Sequence, residues 1–132
     1  MSRMLRVLLV ACGVVVCGVA SASAVAAGSP EQVEAGRRAF VRCVGCHTLD
    51  PQESQRLGPH LGGIVGRRAA SVEGYAYTPF MRRQTFTWTR KQLDRWLKQP
   101  QKVLPDVCMP FGGIENAKER KALIAYLENG VP

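Results

Sequence analysis

The pentapeptide Cys43-Val44-Gly45-Cys46-His47 constrains this chain more than any other stretch. It sets two thiols and an imidazole side by side, and the sequence that follows does little to fold itself. From Thr48 to Tyr75, glycine and proline recur at Gly58-Pro59, Gly62-Gly63 and Gly66, which are signals for loops rather than regular structure. Residues 100–115 form a second loop bearing Pro and Gly. Connections this long are uncommon in a compact domain unless something functional holds them. A small domain with so little regular structure needs cohesion beyond its apolar core.

The remaining sequence reads as helix. Ser29-Pro30-Glu31 is a helix start: a hydroxyl cap, a proline where its missing N–H costs nothing, then an acid. That helix is expected to run to about Cys43 with Val33, Gly36, Ala39 and Phe40 facing inward. Thr78-Pro79 is suited to cap a short helix, and Thr89-Arg90-Lys91-Gln92 forms a capping box ahead of Leu93, Trp96 and Leu97. Pro100 should stop that helix. A last helix should begin near Asn116 with Glu119 as its box partner, present Leu123, Tyr126 and Leu127 on one face, and end at Asn129-Gly130. No alternating strand pattern and no internal repeat is present. The expected fold class is all-α, with three to four helices joined by long loops.

At 132 residues the chain has room for one small domain. Arg3 and Arg6 form a basic start, Val7 to Val19 is apolar, and small residues fill Ala20 to Ala27. That order is a secretory signal, with A-x-A sites ending at Ala22, Ala24 or Ala26. Residues 1–26 are therefore expected to be a signal peptide and 27–132 the working domain, exported to the bacterial periplasm. The uncharged stretch is also about long enough for an uncleaved membrane tether. Leu9-Val10-Ala11-Cys12 is a weaker lipoprotein box, because apolar sequence continues well past Cys12. With the leader go Cys12 and Cys17, leaving Cys43, Cys46 and Cys108. An odd number in an exported chain argues against a simple disulfide framework.

C-x-x-C-H is the attachment motif for a c-type haem: both thiols add across the vinyl groups and the adjacent histidine reaches the iron. A redox C-x-x-C would want a thioredoxin-like βαβ setting, and none is visible. A zinc site would want four ligands, with only Cys108 and His60 left to supply them. A disulfide between Cys43 and Cys46 would leave His47 unexplained. One covalent haem c with its iron accounts for the motif, the export signal and the missing cohesion together.

From about Glu31 to Asn129 the landmarks fall in a familiar order. Gly36 and Phe40 precede the pentapeptide. Gly58-Pro59-His60-Leu61, Gly66-Arg67, Tyr75-Ala76-Tyr77-Thr78 and Trp88 follow it. Met109-Pro110-Phe111-x-Gly113 and Leu123-Ile124-Ala125-Tyr126-Leu127 complete the set. In these the chain resembles the class I cytochromes c, small monohaem proteins with histidine–methionine iron ligation. The resemblance implies a small cytochrome c fold wrapped around one haem. It implies His47 and Met109 as the axial ligands, and a Pro59 carbonyl that accepts the His47 ring N–H. It also implies Arg67, Tyr77 and Trp88 as propionate partners, and Gly36 and Phe40 crossing the last helix near Leu123 and Tyr126. A lone methionine is usually core filler, but Met109 sits in a Pro-bearing loop that is poor context for a packed face. For Tyr77 and Trp88 the plainer reading is aromatic core with a satisfied polar tip; for Arg67 it is a solvated charge.

The chain departs from the family pattern in three places. Val107 stands where many members have a hydrogen-bonding threonine. Cys108 stands where lysine is common, which puts a thiol beside the expected ligand. Trp96 stands where a tyrosine is frequent. His60, directly after Pro59, is expected to be a loop histidine rather than a ligand.

The chain carries +8 net charge. Arg42, Arg67, Arg68, Arg82, Arg83, Arg90, Lys91, Lys98 and Lys102 make the domain basic. In the family such residues steer docking onto acidic surfaces of membrane redox complexes. No DNA-binding motif accompanies the charge, and export argues against nucleic acid. The resemblance implies an electron carrier between respiratory or photosynthetic complexes rather than an enzyme. A second reading is the electron-accepting subunit of an exported dehydrogenase or sulfur-oxidising enzyme. A third, a haem enzyme or ligand sensor, would need an open axial site, against which Met109 argues.

Overall fold

The computed structural model describes residues 28–53 and 56–129; the expected leader, 1–26, lies outside them. Five helical segments follow one another: α1 (Pro30–Phe40), α2 (Pro79–Arg82), α3 (Arg90–Lys98), α4 (Pro100–Val103) and α5 (Ala117–Asn129). Three are true helices and two are single turns, so the all-α expectation holds, with one short segment more than expected. Among the described residues there is no strand, only an isolated bridge between Arg68 and Thr87. No described helix is long and apolar enough to cross a membrane.

The caps read from sequence are in place. Ser29 Oγ accepts from Gln32 N at 3.2 Å, Thr78 Oγ1 from Met81 N at 3.2 Å and Thr89 Oγ1 from Gln92 N at 3.1 Å. Each satisfies an N–H that the first helical turn leaves unpaired. Asn116 Oδ1 accepts from both Lys118 N and Glu119 N. The Glu119 carboxylate, expected to complete a box there, instead pairs with Arg42 at 2.8 Å.

Two boundaries differ from expectation, each for a local reason. α1 stops at Phe40 rather than near Cys43, and Val41, Arg42 and Cys43 donate to the carbonyls three residues back. Tightened turns of this kind commonly finish a helix, and here they lead directly into the cysteine pair. Pro100 does end α3, but it also opens α4, because a proline that cannot continue one helix suits the first position of the next. Pro100 is fully buried, which anchors that turn.

The core forms where α1, α3 and α5 meet. α1 crosses α5 at Gly36, where a β-carbon would lie 2.0 Å from the Ala122 carbonyl oxygen and 2.6 Å from Tyr126 Cβ. Only a residue without a side chain lets the two backbones come this close. One turn further on, Phe40 packs against Tyr126 with ring centroids 5.6 Å apart, and Leu123 beneath them is completely buried.

α3 and α5 are tied by a buried charge. Arg120 is 5% exposed. Its guanidinium donates to Asp94 at 2.8 Å, to the Ile114 carbonyl at 2.9 Å and to the Glu115 carbonyl at 2.8 Å. A buried arginine is tolerable only with its donors used in this way.

Replacing Gly36 with alanine should force α1 and α5 apart and destabilise the folded protein by about 1–3 kcal/mol, the usual range for overpacking. Guanidinium unfolding of the variant beside the wild type checks this, and an unchanged midpoint would contradict the close crossing.

Candidate haem site

The tightened end of α1 delivers Cys43, Cys46 and His47 as one compact turn. Cys46 N and His47 N both donate to the Cys43 carbonyl, at 3.0 and 2.8 Å. The following loop is fastened back onto it: Gly58 N donates to the Cys46 carbonyl and Leu61 N to the Thr48 carbonyl, each at 2.7 Å. Tyr75 closes the loop from outside through its hydroxyl, which donates to the Leu57 carbonyl at 2.7 Å.

His47 is held against this loop. Its Nδ1 lies 2.7 Å from the Pro59 carbonyl. A carbonyl only accepts, so Nδ1 carries the proton and Nε2 keeps its lone pair. Burial pushes the His47 pKa down, with the Pro59 bond opposing, a shift toward the neutral imidazole, the form that binds a metal. A β-carbon at Gly58 would stand 2.2 Å from His47 Cε1, so glycine there makes room for the ring. Burial also raises the Cys43 thiol pKa, the Arg42 charge opposing. Among the described residues no disulfide joins Cys43, Cys46 or Cys108; the first two are half-buried and the third exposed.

These residues open onto a cavity of about 540 Å³, a volume in the range of small-molecule and cofactor sites. Cys43, Cys46, His47 and Pro59 line one part of it. Leu93, Trp96 and Leu97 of α3 line another, and Val107, Met109 and Phe111 a third. Arg67, Tyr77 and Trp88 line it too, so every site residue expected from sequence borders this one space. His60 does not; its ring lies 3.4 Å from the Arg67 guanidinium, in line with a loop role. Among the described residues there is no group of three or more His, Cys, Asp or Glu that could hold a metal ion.

Arg67 and Trp88 are brought together by their backbones: Gly66 N donates to the Trp88 carbonyl at 2.9 Å and Trp88 N to the Arg67 carbonyl at 2.8 Å. The Arg67 guanidinium also donates to the Gly62 carbonyl at 2.9 Å and the His60 carbonyl at 2.7 Å. It therefore holds its loop as well as bordering the cavity. Trp88 and Trp96 meet edge to face at 5.6 Å, so Trp96 packs as a wall residue.

Met109 lies between two tight turns, its N–H donating to the Val107 carbonyl at 3.0 Å and its carbonyl accepting from Phe111 N at 2.8 Å. Sequence reading did not place Met81 and Leu127 in the lining. Helical spacing marked Leu127 as apolar but could not say which space it faces, and Met81 sits in a segment too short to have a period.

A porphyrin fits what is present. The thiols and imidazole share one turn, the walls are aliphatic and aromatic, and donors for carboxylates come from Arg67, Tyr77 and Trp88.

Burial raises the pKa of both Tyr75 and Tyr77. For an acid raised above its unfolded value, the associated stability is complete below about pH 10 and is lost as pH climbs through the folded-state value. A phenolate absorbance titration of Tyr77→Phe beside the wild type should lose a step lying above pH about 10. A lost step at or below that pH would contradict the burial.

The whole arrangement has known counterparts. The family model described as Cytochrome c matches residues 33–130. Cytochrome c of Gibberella zeae is 41% identical over 88 residues, covering 67% of this chain and 83% of that protein. Cytochrome c-550 of Nitrobacter winogradskyi is 38% identical over 95 residues, 72% of this chain and 87% of the relative. Cytochrome c2 of Blastochloris viridis is 32% identical over 107 residues, 81% and 84% of the two chains. Among solved structures, cytochrome cH from Methylobacterium extorquens superposes with a TM-score of 0.68 at 36% identity, over 73% of this chain and 96% of that one. The chain belongs to the cytochrome c family, electron carriers built around a covalently attached haem c.

Proposed function

We propose that Cys43 and Cys46 hold the haem through thioethers and that His47 and Met109 are its axial ligands. Arg67, Tyr77 and Trp88 then face its propionates. The observation that carries this reading is the single cavity lined by the Cys43–His47 turn and by Met109, which are far apart in sequence. Bound there, the haem supplies one-electron chemistry at its iron. Everything else is work for the chain. Pro59 fixes the imidazole and makes it more basic. The neutral thioether of Met109 favours ferrous iron and a raised potential. With His47 and Met109 both taken up as ligands, the iron would be closed to substrates, and outer-sphere transfer at the ring edge would be the route left.

The proposed setting is the bacterial periplasm, reached by cleavage or retention of the 1–26 leader. The proposed partners are acidic docking surfaces of membrane redox complexes of the respiratory chain. Arg42, Arg67 and Arg68 line the cavity and supply positive charge near it. Arg42 is partly neutralised by Glu119 and Arg90 by Glu128, which leaves other basic residues to carry more of the steering. A subunit of an exported dehydrogenase or sulfur-oxidising enzyme is the less favoured reading, since this chain spans 81–92% of relatives such as cytochromes c, c-550 and c2.

Absorption spectra of the holoprotein test the ligand set. The ferric wild type should be low-spin with the weak far-red methionine–ferric band, and Met109→Ala should lose that band; a band that survives would sink methionine ligation. Docking is tested by the rate of electron transfer to an acidic partner. The rate should fall steeply as ionic strength rises from about 0.01 to 0.15 M, as the screening length contracts. Arg68→Glu should slow it at low salt, and a salt-independent rate would exclude electrostatic steering.

A further inference from the structure

We propose that Gln101 is a positioning residue that holds Met109 at the iron; the proposal rests on the reading that Met109 is a ligand. The Gln101 side-chain amide donates to the Met109 carbonyl at 2.8 Å. Because a carbonyl only accepts, it is the amide nitrogen of Gln101 that faces it. The same oxygen accepts from Phe111 N, so both of its lone pairs are engaged.

The significance of this bond lies in what else holds the loop. The bonds Met109 N to the Val107 carbonyl and Phe111 N to the Met109 carbonyl are internal to the segment 105–113 and travel with it. The segment is anchored at its ends. Leu104, 5% exposed, closes α4, and Ile114 N donates to the Leu97 carbonyl at 2.8 Å, with Arg120 bonded to the Ile114 and Glu115 carbonyls. Val107 N donates to the Leu104 carbonyl at 3.2 Å at the near anchor; beyond that, among the described residues, Gln101 supplies the side-chain hydrogen bond that reaches Met109 itself from outside the segment. Its own base is firm, since α4 starts at the fully buried Pro100.

Movement of Met109 away from the cavity must therefore break the Gln101 bond, whereas the internal turns can move intact. Gln101 is exposed, and such a bond is worth little to global folding. Its effect should appear in the equilibrium between Met109 bound and Met109 released, by about three- to tenfold, the range expected of one hydrogen bond.

The test is imidazole binding to the ferric holoprotein, which reads the fraction of molecules whose methionine has left. Gln101→Glu removes the donor and Gln101→Ala removes the side chain. Both should raise apparent imidazole affinity about three- to tenfold and weaken the far-red band. Gln101→Lys keeps a donor and should stay near the wild type. Guanidinium midpoints of the ferrous proteins should be the same for all four. Equal affinities in the wild type, Gln101→Glu and Gln101→Ala would overturn the proposal. So would an equal rise in all three variants, because the donor would then be irrelevant. A wild type with no methionine–ferric band would overturn the ligand reading itself, a failure distinct from normal ligation that is indifferent to Gln101.

Discussion

The close crossing of α1 and α5 at Gly36 is the constraint on which the rest of this domain depends. The Cys43–His47 turn is a continuation of α1, so its position is set by where α1 lies. α5 also packs against α3, whose Leu93, Trp96 and Leu97 wall the cavity. The crossing thus relates the turn proposed to hold the cofactor to the residues that wall the cavity. Contact at 2.0 Å from an imagined β-carbon to the Ala122 carbonyl leaves no slack in that relation.

Around this frame the loops are fastened by hydrogen bonds rather than by a sheet. The 56–61 segment is tied to the Cys43–His47 turn by Gly58, to the next residue, Thr48, by Leu61, and to Tyr75 through the Leu57 carbonyl. The 66–69 segment pairs briefly with 86–88. The 105–113 segment is held at its ends and by Gln101. A chain that spends so few residues on helix leaves many backbone groups needing partners, and these local pairings supply them. They also let one small domain enclose a cavity of about 540 Å³. The apolar walls then acquire their proper neighbour when the cofactor is covalently attached.

The electrostatics follow the same division. Inside, burial lowers the His47 pKa and the Pro59 carbonyl decides which ring nitrogen is free. Outside, several basic residues remain exposed, while Arg42, Arg90 and Arg120 are committed to Glu119, Glu128 and Asp94. The positive charge left for the proposed acidic partner is therefore a subset of what composition suggests.

Local chemistry was legible in the sequence wherever it depends on near neighbours. The attachment pentapeptide, the caps at Ser29, Thr78 and Thr89, and the helix periods of Leu93–Trp96–Leu97 and Leu123–Leu127 all act over a few residues. Resemblance of the ordered landmarks carried Pro59, Arg67, Tyr77, Trp88 and Met109 to one expected site, and the cavity does gather them. Sequence could not show that Arg120, flanked by Glu119 and Lys121, turns inward, nor that Glu119 leaves its cap for Arg42. It also could not show that Gln101 reaches Met109. Each of these depends on which surfaces face each other after the helices cross, and a side chain's partner across space leaves no period or spacing along the chain. The sequence by itself determined the cofactor chemistry and the helices; the tertiary structure alone decided which long polar side chains secure the loops around it.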